Sequence, residues 1–529
     1  MSSRPFVRAL ATSTLLLVAG AAGLAAQAPQ RFDVLIRHGR VLDGTGNPWI
    51  RTDIGIRGDR IVAMGDLGDA TATTVIAADS FYVAPGFIDT HSHAGEGLAR
   101  PSLSGAQQLL AQGLTTILAN PDGGGPVDLA AQRVTFEKNG LGVNVFQMIG
   151  HGAVRGAVLG MADRAPTADE LKKMEALVQK GFDDGAVGLS SGPFYAPGSY
   201  SKTDELVDLT RIAAKYHAPY QSHIRDESDY TVGLLAAVEE VITIAREAHT
   251  RGIVTHVKAL GPDVWGFSAA IVQRVDRARE EGVEVFADQY PYDASSTSLA
   301  AALVPRWAQA GGTAAFRGRI TDAAQRAKIV PEMRDNLARR GGAARIQIAS
   351  YGPDSTLDGK TLAQISAARS ADAVETALAL LEKSDASIVS FNMLDEDIDR
   401  LMVQPWTMTS SDGALITFGS GMPHPRGNGA FSRKLRKYVV EDQVVTLPAA
   451  IRSMTSLPAS VFNLPDRGVL RPGAFADVVV FDLAKVKDKA TYENPHQMAE
   501  GMVDVLVNGK FAVRDTKFTA AHDGRVLRR

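Results

Sequence analysis

The chain has 529 residues, 45% of them hydrophobic and 22% charged, a globular composition with ample length for a large core that excludes a disordered or fibrous protein. Lys+Arg at 56 against Asp+Glu at 59 leaves a formal net charge of -3, and with no long single-sign block there is no footprint for nucleic acid. No cysteine is present, which removes disulfides, thiolate ligands and cysteine nucleophiles, so any metal must be held by His, Asp or Glu.

At the start of the chain, Arg4 and Arg8 precede an uncharged stretch from Ala9 to Ala28 that contains Leu15-Leu16-Leu17-Val18 and ends in the small-x-small run Ala26-Gln27-Ala28. Residues 1–28 therefore read as an export signal cleaved after Ala28, which predicts an exported, periplasmic protein. A retained anchor is the competing reading, but Thr, Ser and Gly dilute the apolar stretch. No later segment has eighteen apolar residues in a row, so no stable membrane insertion is expected of the mature chain.

Residues 29–85 carry short β-type runs, Phe32 to Arg40, Asp53 to Arg57 and Arg60 to Met64, parted by the turn-rich Asp43-Gly44-Thr45-Gly46-Asn47-Pro48 and by Gly58-Asp59. The same signal returns within residues 463–529, at Asp477 to Phe481 and Val503 to Gly509, so the two ends are predicted to complete one small β-sandwich. Between them, over residues 86–462, short apolar runs alternate with helical stretches, of which Ser201 to Ala214 and Thr231 to His249 are the clearest. Eight runs end near His93, Asn120, Gly150, Ser191, Arg225, Ala259, Tyr292 and Asp412. The predicted fold is thus α/β, a TIM-like (β/α)8 barrel with an insert over about 294–349, and its catalytic residues should gather at the C-terminal strand ends. A doubly wound nucleotide fold is the rival, but Gly123-Gly124-Gly125 lacks the spacing and downstream acid of a dinucleotide site.

His91 and His93 close the first run two residues apart, so both imidazoles face one locus. His223 ends the fifth run, His256 lies in the sixth and Asp412 ends the eighth. With 11 histidines in the whole chain, four at strand ends with a terminal aspartate point to a metal site at the barrel mouth.

The run Gly86-Phe87-Ile88-Asp89-Thr90-His91-Ser92-His93, followed by later His, His and Asp, resembles the amidohydrolase superfamily. Within it, Gly188-Leu189-Ser190-Ser191-Gly192, Ser222-His223-Ile224-Arg225-Asp226-Glu227, Tyr290-Pro291-Tyr292 and Pro423-His424-Pro425-Arg426 are similar to the N-acyl-D-amino-acid deacylases, or D-aminoacylases. The resemblance covers nearly all of the mature chain. It implies a metal-dependent hydrolase that cleaves the amide bond of N-acyl-D-amino acids, with zinc, as one or two ions, held by His91, His93, His223, His256 and Asp412. The family places a ligating cysteine after the second strand; here Asp122 falls nearest that position, either as a harder ligand or as a turn residue before the glycines. Strand four ends without a lysine that could bridge metals as a carbamate.

The resemblance further implies Asp412 as general base, taking a proton from the attacking water and returning it to the leaving nitrogen. His151 either stabilises the developing oxyanion or lines the pocket. Lys258, Tyr290, Ser296 and Arg426 match positions that bind the substrate's free carboxylate, with Arg426 foremost for its planar fork. Tyr195 is expected either to contact the acyl or side-chain moiety or to pack in its proline-flanked loop. The expected partner is a small molecule with a free carboxylate. A cyclic amidase or dipeptidase of the same superfamily and a non-catalytic periplasmic binding protein are the alternatives.

Overall fold

The computed structural model describes residues 30–529, so the export signal expected over residues 1–28 lies outside the described residues. The N-terminal strands are β1 (Arg31–Val41), β2 (Ile50–Arg57), β3 (Arg60–Gly65), β4 (Thr71–Ala77) and β5 (Tyr82–Pro85). Gly58 turns β2 into β3 with φ +59, a left-handed value that costs a glycine nothing.

Next come β6 (Phe87–Asp89), β7 (Leu114–Ala119), β8 (Asn144–Gln147), β9 (Ile149–Gly150), β10 (Leu189–Ser191), β11 (Tyr220–Ser222), β12 (Gly252–Val254) and β13 (Val285–Gln289). Every residue of β7 is buried, as a parallel strand covered on both faces requires. The two helices expected most clearly form over Thr203–Lys215 and Leu234–Ala248. The second starts later than Thr231 because Asp226 Oδ2 accepts from Thr231 N at 2.6 Å and Gly233 N at 3.0 Å, and Gly233 has φ +83.

The chain then leaves this sheet for β14 (Ala294–Ser298), β15 (Ile346–Ser350) and β16 (Ser387–Phe391), a three-stranded sheet of order β14-β16-β15. The insert therefore runs to Phe391 and not to 349, because β16 is the central strand that β14 and β15 both need. Leu303, Ile329, Met333, Ile346 and Leu378 give it a core of its own. β17 (Thr407–Thr409) rejoins the parallel run beside β13.

β6, β7 and β8 pair in parallel, as do β9 through β13 and β17. Backbone bonds then bring the end of the run back to its beginning, with Asp412 N donating to His91 O at 2.9 Å and His93 N to Gly413 O at 2.9 Å. Ile88, Leu118, Phe146, Ile253 and Met408, from five of these strands, share one core with Leu457, Val461 and Phe462.

At the far end of the chain are β18 (Val478–Phe481), β19 (Met502–Val507), β20 (Lys510–Arg514), β21 (Lys517–Phe518) and β22 (Val526–Leu527). Antiparallel pairing of β18 with β5, Phe481 opposite Tyr82, joins the two ends of the chain in one nine-stranded sheet. The segment 463–529 does not stay wholly in that sheet. β22 pairs in parallel with β8, Val526 opposite Val145, where it covers a strand edge that β10 does not reach.

Candidate metal centre and active site

The strand ends place His91, His93, Asp122 and Asp412 in one group, with His91 and Asp412 buried and His93 and Asp122 partly open to the cavity. His91 Nε2 lies 3.4 Å from both Asp122 Oδ1 and Asp412 Oδ1, and His93 Nε2 lies 3.2 Å from Asp122 Oδ2 and 3.1 Å from Asp412 Oδ1. Such spacings are those between ligand atoms set tetrahedrally about a cation at about 2.0–2.1 Å. Two further observations fit a divalent ion. His91 Nε2 and Asp122 Oδ1 are sealed from solvent with no hydrogen-bond partner. Burial opposes charge on His93, yet hydrogen bonds to Asp122 and Asp412 push its pKa up to about 9, so the two carboxylates call for positive charge.

The backbone is bent to achieve this. Asp122, His256 and Asp412 have φ of +56, +34 and +49, a region that non-glycine residues enter at a cost. Asp288 holds the His256 bend by accepting from His256 N at 2.9 Å. Glycines let the Asp122 loop descend between strand ends: a Cβ on Gly192 would sit 2.3 Å from Asp122 O, and one on Gly150 would sit 2.2 Å from Gly124 O. The glycine run that follows Asp122 is thus packed against strand ends, and Asp122 itself faces the histidines.

His223, Glu227 and His256 form a second group beside the first. His256 Nε2 is 3.5 Å from Asp122 Oδ1, so Asp122 stands between the two. His223 Nδ1 lies 3.0 Å from Ile224 O and can donate to it, leaving Nε2 with a free lone pair. Burial, ahead of its charged neighbours, holds the His223 pKa down to about 4, the neutral form a ligand needs. Glu227 Oε1 takes the other side of His256, 3.0 Å from Nδ1, and also accepts from Lys258 Nζ at 2.5 Å.

A cavity of about 530 Å³ opens beside both groups and is lined by Tyr195, Lys258, Tyr290, Ser296 and Arg426, as well as the ligand candidates His93, Asp122, His223, His256 and Asp412. Tyr290 keeps a buried hydroxyl without a partner. Tyr195 packs edge-on against His223, centroids 4.6 Å apart, and its hydroxyl is 3.3 Å from Thr297 Oγ1. Arg426 arrives already engaged: Nη1 is 2.6 Å from Asp412 Oδ2, while Nη2 reaches only a 3.5 Å contact with Ser296 O. Burial alone would raise the Asp412 pKa, but the Arg426 guanidinium holds it well below the usual carboxylate range.

His151 is not brought into this group. Its ring is fully buried with Nε2 2.8 Å from Glu205 Oε1, and Arg155 grips the other oxygen of Glu205, so it neither lines the cavity nor reaches an oxyanion. The reason is local: His151 opens the helix His151–Leu159, which turns its side chain toward the helix Thr203–Lys215. Glu227 was given no role by the sequence, although it stands four residues past His223 at the end of the run Ser222 to Glu227. Arg340, which also lines the cavity, comes from the insert and carries no motif.

Residues 74–513 match the amidohydrolase family. The chain is 35% identical to N-acyl-D-glutamate deacylase of Alcaligenes xylosoxydans xylosoxydans, with 94% of this chain and 97% of the relative covered. It is 32% identical to D-aminoacylase of the same organism, with 94% and 98% covered. A crystal structure of N-acyl-D-glutamate deacylase from Bordetella bronchiseptica, complexed with zinc and a phosphonate mimic of the tetrahedral intermediate, superposes with a TM-score of 0.81 at 34% identity, covering 94% of this chain and all of that one. The chain belongs to the amidohydrolase family. Its fold is the α/β fold of the TIM-barrel class.

Proposed function

We infer that the protein is a metal-dependent hydrolase of the D-aminoacylase kind, cleaving N-acyl-D-amino acids to a carboxylate and a free D-amino acid. The carrying observation is the convergence of His91, His93, Asp122 and Asp412 with His223 and His256 beside one cavity, where a guanidinium is held against Asp412. His91, His93, Asp122, His223, His256 and Asp412 would hold one or two ions, zinc by analogy with the Bordetella enzyme. A divalent ion there polarises the scissile carbonyl and makes water a competent nucleophile near neutral pH.

The chain's own residues supply the rest. Asp412 accepts the proton of the attacking water on its carboxylate and returns it to the leaving nitrogen, and Arg426 Nη1 fixes the carboxylate plane and keeps it ionised. The remaining edge of Arg426, with the Tyr290 hydroxyl and Ser296, receives the α-carboxylate. Asp122, placed between both sets of imidazoles, supports a ligand role in place of a cysteine and favours this reading over a non-catalytic binding protein.

The same reading extends to the rest of the chain. We propose a closed (β/α)8 barrel over residues 86–462, interrupted by the insert, and a satellite β-sandwich from the two ends, supported by the core that Val34, Ile36 and Ile56 share with Val478, Val480 and Leu506. We also propose export to the periplasm, supported by the charge and apolar pattern of residues 1–28. Among the described residues no helix is long and apolar enough to cross a membrane.

The test is a chiral assay on zinc-loaded protein. Turnover of N-acetyl-D-amino acids with little of the L series is expected; preference for the L series, or turnover of hydantoins or dipeptides in their place, overturns the assignment.

A further inference from the structure

Two carboxylates near the strand ends have no part in lining the cavity. Asp89, at the end of β6, and Asp288, in β13, are both fully buried. Asp89 Oδ1 accepts from Ser411 N at 2.9 Å and from His91 N at 3.3 Å, and its Oδ2 accepts from the Ser411 hydroxyl. Asp288 Oδ1 accepts from His256 N at 2.9 Å, and its Oδ2 accepts from Thr255 Oγ1 and from Gln221 Nε2, each at 3.0 Å. All of these partners donate, so each carboxyl group is held in its acceptor-only, ionised form.

Their partners are the residues that carry the donor atoms, or the neighbours of those residues. Asp89 ties the peptide N–H of His91 to that of Ser411, just before Asp412, and the Ser411 hydroxyl accepts in turn from Gly413 N at 3.0 Å on the other side of Asp412. Asp288 holds the peptide of His256 directly. Through Gln221, whose Nε2 also donates to Thr90 O at 3.0 Å, it reaches the residue before His91. The left-handed φ values of His256 and Asp412, +34 and +49, thus fall where a buried carboxylate grips the chain. Charge separates these two acids from others at the mouth. Arg426 pairs with Asp412 and Lys258 with Glu227, but among the described residues no Lys or Arg pairs with Asp89 or Asp288. A buried anion without a cation is costly, and its field favours positive charge at a nearby site able to hold it.

We propose that Asp89 and Asp288 are positioning residues for a divalent ion: they bend the backbone so that His91, His256 and Asp412 converge, and their unpaired charges strengthen cation binding at the donor groups. The proposal rests on the reading of those groups as a metal centre. It adds two residues that touch neither ion nor substrate and act through the backbone and the field around the residues that do. Their effect therefore falls on metal affinity first and on turnover only through it.

The experiment measures the zinc affinity of the full chain by competition with a chromogenic chelator. Asp89→Asn and Asp288→Asn are each expected to weaken zinc binding by about 10–100-fold. The control is Asp397→Asn, which also alters a buried carboxylate that accepts from backbone, at Gly266 N and Ser268 N, but lies outside both donor groups and the cavity. It is expected to change zinc affinity by less than about threefold. The rise in Tm when stripped protein is loaded with zinc should shrink in the first two variants and hold in the control, because a purely structural loss lowers loaded and stripped protein alike. Zinc affinity within about threefold of wild type in both Asp89→Asn and Asp288→Asn, or a loss matched by Asp397→Asn, overturns the proposal. Should the asparagine variants not fold, Gln221→Met leaves both charges in place and cuts the link from Asp288 to Thr90. It is expected to weaken zinc by about threefold to tenfold, and unchanged affinity there overturns the proposal as well. A wild type that binds no zinc removes the metal-centre reading and this proposal together, whereas tight wild-type binding with indifferent variants removes this proposal alone.

Discussion

The two donor groups at the barrel mouth are built from similar residues and held in opposite ways. In one, His91 has neither ring nitrogen satisfied, and Asp122 and Asp412 sit on strained backbone with their oxygens turned inward. In the other, the far nitrogens of His223 and His256 are met by the Ile224 carbonyl and by Glu227, and Glu227 is in turn neutralised by Lys258. The first group is incomplete without a cation, whereas the second largely balances its own charge. The proposed base Asp412 belongs to the first, and the second adds imidazoles whose orientation its own hydrogen bonds fix.

The most severe test of that contrast is Asp412→Asn. The amide keeps the volume and a hydrogen bond to Arg426 but cannot take a proton, so kcat is expected to fall by about 10³-fold or more with little change in thermal stability. Retention of a tenth of wild-type kcat would take Asp412 out of the reaction. Glu205→Gln acts in the other direction. It strips charge from a closed cluster in which His151 and Arg155 are wholly buried, and loss of a buried partner costs about 3–5 kcal/mol. A large drop in the urea midpoint with near-normal kcat/KM in the folded fraction is expected, and a specific loss of kcat at unchanged stability would return His151 to the catalytic machinery.

A finer cut compares the two groups directly. Asp122→Ala is expected to reduce the bound metal measured by elemental analysis, because Asp122 stands between both sets of imidazoles. Glu227→Gln, acting through His256, is expected to leave metal bound and to weaken affinity or activity by about 10–100-fold. Equal metal loss in the two variants would erase the distinction.

Much of this was legible in the sequence. The parallel strands, the metal-facing histidines and Asp412 follow from apolar runs with chemistry at their ends, because a strand's period of two fixes which side chains share a face. Asp122 was legible as a position, but its approach to the histidines depends on Gly150 and Gly192 letting its loop descend, a three-dimensional fact. His151 failed because it follows a strand end but begins a helix, and one residue of helix redirects a side chain. The insert's true length was hidden because β16 is defined by its pairing with β14 and β15 and not by its own pattern. Arg340 had no local signal at all, since only the folding of the insert brings it to the cavity.

Two buried lysines carry the contrast away from the mouth. Lys258 shares its charge with Glu227, whereas Lys434 Nζ meets only hydroxyls, Thr409 Oγ1 at 2.8 Å and Ser453 Oγ at 2.9 Å. Burial without a counterion pulls the Lys434 pKa down from 10.5 to about 7. Between those values the unfolded chain holds a proton that the folded chain has released, so this group makes stability rise with pH across that window; below about pH 7 both forms are charged and the full penalty of burial applies. Lys434→Met removes the penalty, and the variant is expected to exceed the wild type in unfolding free energy most at pH 6. The gap should narrow by about 1 kcal/mol per unit from pH 7 upward in urea titrations. A gap independent of pH would mean that Lys434 stays charged in the fold, with its two hydroxyl neighbours as sufficient company.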